Sequence, residues 1–327
     1  MDTSSSTDSQ PSEFSDYNQR VVVAIMIGTA SLVGIIGNSL VIGAVLLSKV
    51  LQTTTTAFIF SMSVAHLLCS LVLPWDVVVL LSTGDLPRGD REWICSVTTV
   101  TISITIGVGL YTLAAIGLNH MLLITRPTAK FFTPKKIAAA MVVTWLIPCL
   151  VVVVPPLIKV GQVGFNEKFH LCGSKFTPGC KTYNSIRVLG LYPIPLVCII
   201  VCCVLIWSHL RRHAHVPATS SDIVGPTQMI TKTMPFLLGA TIIFMTPYAL
   251  CRANRSFEPA LAYASAILFS SCSINPIIYG IRHRDFKTVF GCILRRGWND
   301  IPQPSALLQS MGGVKSQDKE EVGLHGD

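Results

Sequence analysis

The chain has 327 residues, of which 50% are hydrophobic and only 13% charged, about half the charge of an ordinary soluble domain. With a mean hydropathy of +0.58, there is too little charged surface to cover a water-soluble globule of this size. Disorder, collagen, coiled coil and a small disulfide scaffold are excluded by the same figures.

Residues 1–20 are polar, rich in Ser and Thr, and carry Asp2, Asp8, Glu13 and Asp16. They lack the charged-then-apolar layout of a cleavable signal, so the first span is expected to act as its own insertion signal behind an extracellular tail. Seven apolar blocks follow, at 21–47, 57–81, 95–124, 137–158, 186–207, 229–250 and 260–281. Each is long enough for a bilayer core about 30 Å thick, which takes about 20 helical residues. Lys232 moves the apolar part of the sixth span to 233–250, and the seventh holds Asn275 and Pro276, which a lipid-exposed helix disfavours. The strand alternation of a membrane barrel is absent, and so is the internal repeat of many transporters. The reading is an all-α membrane protein. A seven-transmembrane helix bundle spans 21–292 and ends in a short amphipathic helix at 282–292, with a disordered cytoplasmic tail over 293–327.

With the N-terminus outside, the inner segments hold thirteen Lys and Arg and the outer ones ten, in the sense of the positive-inside rule. Cys95, Cys172 and Cys180 then share the side on which thiols oxidise. Most other cysteines fall inside spans, as small apolar residues. Asn38 must face the bundle and find a hydrogen-bond partner. Pro195, Pro247 and Pro276 each remove a backbone donor and kink a span, and Asn275 is expected to bond the carbonyls freed near Pro276.

The spans also carry a series of tags. In order they are Gly37-Asn38-Ser39-Leu40-Val41; Ser61-Met62-Ser63-Val64-Ala65-His66-Leu67-Leu68; Cys95 and Asn119-His120-Met121 with Arg126-Pro127; Trp145; Pro195; Phe244-Met245-Thr246-Pro247; and Asn275-Pro276-Ile277-Ile278-Tyr279 with Phe286. Seven tags in order, one per span, resemble the rhodopsin-like (class A) G-protein-coupled receptors over 21–292. The resemblance implies a plasma-membrane receptor that passes an extracellular ligand signal to a heterotrimeric G protein by helix rearrangement. It implies no enzyme, cofactor, metal or nucleic acid. It points to Asn38, His66, Asn119, His120, Met245, Pro247, Asn275, Pro276 and Tyr279 as conformational switch positions. It also implies a bridge from Cys95 to the loop between spans four and five, with Cys172 preferred to Cys180. Cys292 is a lipidation candidate, and the sequon at Asn254 is expected to stay unmodified so close to the membrane.

Departures from that family pattern carry their own expectations. His66 stands where the family places a sodium-binding Asp, with Gly109 and Ser271 at further ligand positions. A hard cation wants oxygen ligands, so no sodium site is expected. His66 is instead read as a hydrogen-bonded bundle residue rather than a pH sensor. Asn119-His120-Met121 replaces Asp-Arg-Tyr, Met245 a Trp and Cys203 a Tyr. Either the receptor signals through a different inner lock, or it is a non-signalling decoy or scaffold. Survival of Tyr279, the prolines and the basic short helix favours signalling. A transporter would need ionisable residues across the midplane, and these are nearly missing.

Ile102 occupies the aminergic Asp position, and Phe269 the position of the opsin Schiff-base Lys, so neither an amine held in that way nor retinal is expected. What remains is charge near the outer ends: Arg187 opening the fifth span, Arg252 closing the sixth, and Asp76 in the outer half of the second. The loop 157–187 adds Lys159, Lys168, Lys175 and Lys181 against Glu167. A basic mouth attracts anions, and planar guanidinium suits carboxylate or phosphate. An unknown, anionic extracellular ligand on Arg187 and Arg252 is therefore expected. The competing reading pairs Arg252 with Glu258 and lets Arg187 snorkel to lipid phosphate. Thr98, Ile102, Tyr111, Tyr248 and Tyr263 are candidates for the rest of the pocket.

Overall fold

The computed structural model describes residues 16–82, 88–126, 133–166, 170–175, 177–213 and 221–312, apart from the side chains at 88, 213, 221–234, 255 and 258. Its elements are α1 (Tyr17–Leu47), α2 (Thr54–Leu81), α3 (Arg88–Thr125), α4 (Pro134–Leu157), a hairpin of β1 (Val163–Asn166) and β2 (Leu171–Ser174), α5 (Cys180–Leu191), α6 (Pro193–His213), α7 (Ser221–Ala253), α8 (Leu261–Arg282), α9 (Arg284–Leu294) and α10 (Ala306–Ser310). Among the described residues seven spans are long and apolar enough to cross a membrane, with α5 and α6 forming one of them. The starts follow local chemistry: Asp16 and Thr53 cap α1 and α2, and Thr133 followed by Pro134 opens α4. Large apolar side chains such as Ile25, Ile36, Val142 and Val197 are exposed around the bundle, a surface made for lipid rather than water. The central helices are α3 and α8, with 67% of each span buried against 22% of α4.

Prolines set the packing. A proline inside a helix leaves the carbonyl four residues earlier without its donor, and in lipid no water replaces it. Pro74 in α2 frees the Ser70 carbonyl, and the Ser31 hydroxyl of α1 donates to it at 2.8 Å. Pro276 in α8 frees the Cys272 carbonyl, and Asn38 Nδ2 of α1 donates to it at 3.0 Å and to Gly34 O at 2.8 Å. Gly37 makes that approach possible, since a Cβ there would sit 2.9 Å from Pro276 Cβ. Pro156 in α4 frees the Val152 carbonyl, which the Tyr183 hydroxyl of α5 reaches at 3.1 Å. Where Pro193 and Pro195 interrupt the fifth span, Tyr111 of α3 donates to Gly190 O at 2.7 Å.

Three expectations are corrected. Asn275 does not bond the carbonyls near Pro276; its Nδ2 meets His66 Nδ1 at 3.4 Å, and Asn38 does the capping. The fifth span begins at Cys180, not 186, and breaks at Tyr192 ahead of Pro193 rather than at Pro195. The tail is not disordered from 293: it is ordered to Gly312, and residues 313–327 lie outside the described residues. Ser305 donates from its backbone N to Leu47 O and from its hydroxyl to Leu46 O, Lys49 N donates to Gln303 O, and Ile301 and Leu308 are buried. The amphipathic helix after the seventh span is α9, which buries Phe286, Val289 and Phe290.

Ser31→Ala is expected to lower thermal stability by about 1 kcal/mol, because it orphans the Ser70 carbonyl in an apolar setting. Leu32→Ala, on the lipid face beside it, should change the midpoint little. Thermal unfolding of both variants in nanodiscs compares them directly.

Candidate functional site: the cavity at the disulfide end

Cys95 at the start of the α3 span is bridged to Cys172 on β2. Cys180 is a free, buried thiol at the start of α5. The hairpin is further pinned to α3 by the Lys175–Glu92 ion pair at 2.7 Å and by the Ser96 hydroxyl on Val163 O at 3.2 Å. Lys175 is therefore already paired, while Glu167 and Lys168 lie outside the described residues.

Behind the hairpin the helices enclose about 780 Å³, including the open mouth. Five of the six residues expected from the sequence line this space: Asp76, Ile102, Arg187, Tyr248 and Arg252. Tyr263 is not among the lining residues; it packs on the apolar cluster that includes Ile102, Met245 and Phe269 of the cavity wall. Thr98 and Tyr111 also point elsewhere, Tyr111 being engaged by Gly190 O. Helical phase separates these residues from their neighbours, and composition does not report it. Residues that the sequence did not single out include Thr99, Ser103, Tyr192 and Ser265, together with Cys172 and Gly173 from the hairpin.

Arg187 is only 6% exposed. Its Nη2 donates to the Tyr248 hydroxyl at 2.8 Å, its Nη1 to Ser103 Oγ at 3.3 Å, and its guanidinium lies 5.3 Å from the Tyr183 ring. Arg252 Nε donates to the same Tyr248 oxygen at 3.2 Å. One phenol oxygen thus accepts from two guanidiniums. Among the described residues neither arginine forms an ion pair, and the Glu258 side chain lies outside them. Arg187 does not snorkel outward; it faces the cavity.

A second cavity of about 300 Å³ continues inward, sharing Ile106, Leu110 and Met245 with the first. His66, Gly109, Thr241, Ser271 and Asn275 line it. A methyl group on Gly109 would collide with the His66 ring, so the glycine makes room for the imidazole. Among the described residues no group of three or more His, Cys, Asp or Glu is placed to hold a metal ion.

A family model, 7 transmembrane receptor (rhodopsin family), matches residues 37–279. The chain belongs to the rhodopsin family of seven-transmembrane receptors. Similar proteins include the dog histamine H2 receptor, 24% identical over 299 residues that cover 84% of this chain and 80% of the relative. The C-X-C chemokine receptor type 4 of Xenopus tropicalis is 26% identical over 84% of this chain and 78% of its own, and zebrafish galanin receptor 2b 27% over 86% and 78%. Squid rhodopsin shares the fold with a TM-score of 0.75 at 16% identity, covering 91% of each chain. As a family member the protein is a G-protein-coupled receptor, in which an extracellular ligand and a G protein bias one helix rearrangement from opposite faces.

In this receptor the far end of α3 lacks the family's ion pair. Asn119 Nδ2 donates to Thr55 Oγ1 of α2 at 2.9 Å, and the His120 ring, 1% exposed, has no hydrogen-bond partner on either nitrogen among the described residues. Tyr279 stacks on Phe286 of α9 at 5.6 Å, and Arg282 of α8 lies 3.9 Å over the Phe236 ring of α7. His120→Arg would bury a cation beside a neutral amide, and we expect it to cost about 3 kcal/mol of stability. Adding Asn119→Asp should recover most of that loss. Thermal unfolding of the single and double variants gives the coupling, and equal midpoints for the two would contradict it.

Proposed function

We propose that the receptor sits in the plasma membrane with the disulfide end outside and α9 at the cytoplasmic face, and that it is switched by a ligand bearing an anionic group held by Arg187 and Arg252. The observation that carries this is the pair of guanidiniums converging on the Tyr248 hydroxyl, one of them almost fully buried, with no ion pair among the described residues. A buried cation is costly without a counter-charge, and a carboxylate, sulfate or phosphate entering the cavity would supply one in bidentate geometry. The relatives are named for ligands as unlike as histamine, a chemokine and galanin, so similarity does not choose among them. Ile102, apolar and on the cavity wall, offers no partner for an amine.

The same geometry supports a route for the signal. Met245, shared by both cavities, lies between the ligand and the polar cluster of His66, Asn275 and Ser271. Pro247 in α7, and Pro276 capped by Asn38 in α8, are the hinges on either side of it. On the cytoplasmic face the Asn119–Thr55 hydrogen bond takes the place of an ionic lock, and the G protein meets a surface around His120, Tyr279 and Arg282. Cys292 at the end of α9 is the proposed acylation site, and the His66 cluster works without sodium. A signalling receptor is favoured over a decoy because the Tyr279–Phe286 stack and the kinked spans are built in full.

The test is G-protein activation in cells expressing the receptor, screened with carboxylates, phosphates and sulfates, each paired with a neutral ester or amide of the same shape. Activity is expected from acids alone. Arg187→Ala and Arg252→Ala should each lower affinity about thirtyfold or more, whereas Lys181→Ala, on the exposed face of α5, should change it little. Neutral isosteres of equal potency, or two arginine variants of unchanged affinity, would refute the anion site.

A further inference from the structure

The cavity holds a second pole opposite the arginines. Asp76 of α2 lines it, is 2% exposed, and has an Oδ1 without a hydrogen-bond partner among the described residues. Thr99 of α3 lines the same space, and its hydroxyl is likewise buried and unpartnered. Buried carboxylate oxygens are normally satisfied, and an orphaned one at a cavity wall marks a place that an incoming group completes. Asp76 is the only carboxylate among the described cavity-lining residues.

Opposite charges inside one cavity would be expected to neutralise each other. Here they do not meet. Arg187 and Arg252 spend their bonds on Tyr248 and Ser103, on the side where α5 packs on α7. Asp76 stands on the side where α2 packs on α1, α3 and α8. Apolar residues such as Ile102, Ile106 and Phe269 line the space shared by the two poles.

We infer that the receptor's ligand is bipolar, placing an acidic group on Arg187 and Arg252 and a cationic or N–H-rich nitrogen on Asp76, as an amino-acid derivative or short peptide with free ends does. The inference rests on the anion reading of the arginines and adds the second pole to it. A purely acidic ligand would leave the Asp76 oxygen orphaned and bring a like charge into the cavity. A purely basic ligand would leave both guanidiniums uncompensated. Matching both ends gives specificity as well as affinity, because each mispaired analogue is actively penalised.

The test uses the full-length receptor in nanodiscs with pools of free tripeptides as probes, beside the same pools N-acetylated (acid only) or C-amidated (base only). Free pools are expected to raise the unfolding midpoint, with acetylation and amidation each weakening apparent affinity at least tenfold. Asp76→Asn should erase the advantage of free over acetylated peptides and leave acid-only binding in place. A second readout needs no ligand: Asp76→Asn should leave the empty receptor as stable or more stable, since the buried carboxyl it replaces has no hydrogen bond to lose among the described residues. Acetylated pools that bind as well as free ones, no response from any pool, or a clear drop in midpoint for empty Asp76→Asn would each overturn the bipolar ligand. The anion site fails separately, if acid-only binding ignores both Arg187→Ala and Arg252→Ala.

Discussion

A carbonyl freed by proline inside a lipid-embedded helix must find a donor within the protein, and that requirement organises this receptor. α1 meets it twice, with Ser31 for the kink in α2 and Asn38 for the kink in α8. Tyr183 meets it for Pro156 of α4, and Tyr111 serves the break in the fifth span. Each donor comes from a neighbouring helix, so each kink is also a helix–helix contact with a fixed register. α1 therefore acts as the spine against which α2 and α8 bend. Asp76 of α2 and Phe269 of α8 line the cavity.

On that frame the residues proposed as switches form consistent local arrangements. His66 fits because Gly109 yields its space, and Asn275 turns to the imidazole instead of to its own helix. Asn119 replaces an ionic lock with one neutral hydrogen bond to Thr55. A neutral bond can be broken without stranding a charge, so the barrier to opening that end should be lower than for a buried ion pair. The charge missing from the switch region is concentrated in the cavity, where Arg187 and Arg252 share Tyr248 and Asp76 waits unpartnered.

Much of this was legible in the chain. The seven blocks follow from apolar run length, and the bridge from Cys95 to Cys172 from the family resemblance. Charge near the span ends drew attention to Asp76, Arg187 and Arg252, which all line the cavity. What was not legible depends on phase or on distance along the chain. Asn38 reaches a carbonyl 234 residues away, and nothing local says that it, rather than the adjacent Asn275, will cap the Pro276 kink. Tyr248 lines the cavity and Tyr263 does not, a difference that nothing local in the sequence announces. The hairpin strands are four residues each, too short for alternation to register. The segment 301–310 mixes apolar and polar residues in no helical or strand period, and burial of Ile301 and Leu308 with a few backbone bonds near the end of α1 docks it. Pro74 was visible, but its partner Ser31 is ordinary in composition.

The most direct measurement is a double-mutant cycle on Asn38 and Pro276, read by thermal unfolding in nanodiscs. With Pro276 present, Asn38→Ala leaves the Cys272 carbonyl unpaired and should lose about 1–3 kcal/mol. With Pro276→Ala, the new backbone N–H can close the helical ladder onto that same carbonyl, and the loss on removing Asn38 should fall by about 1 kcal/mol or more. Strict additivity, with Asn38→Ala equally damaging in both backgrounds, would contradict the view that Asn38 is there to complete the proline kink.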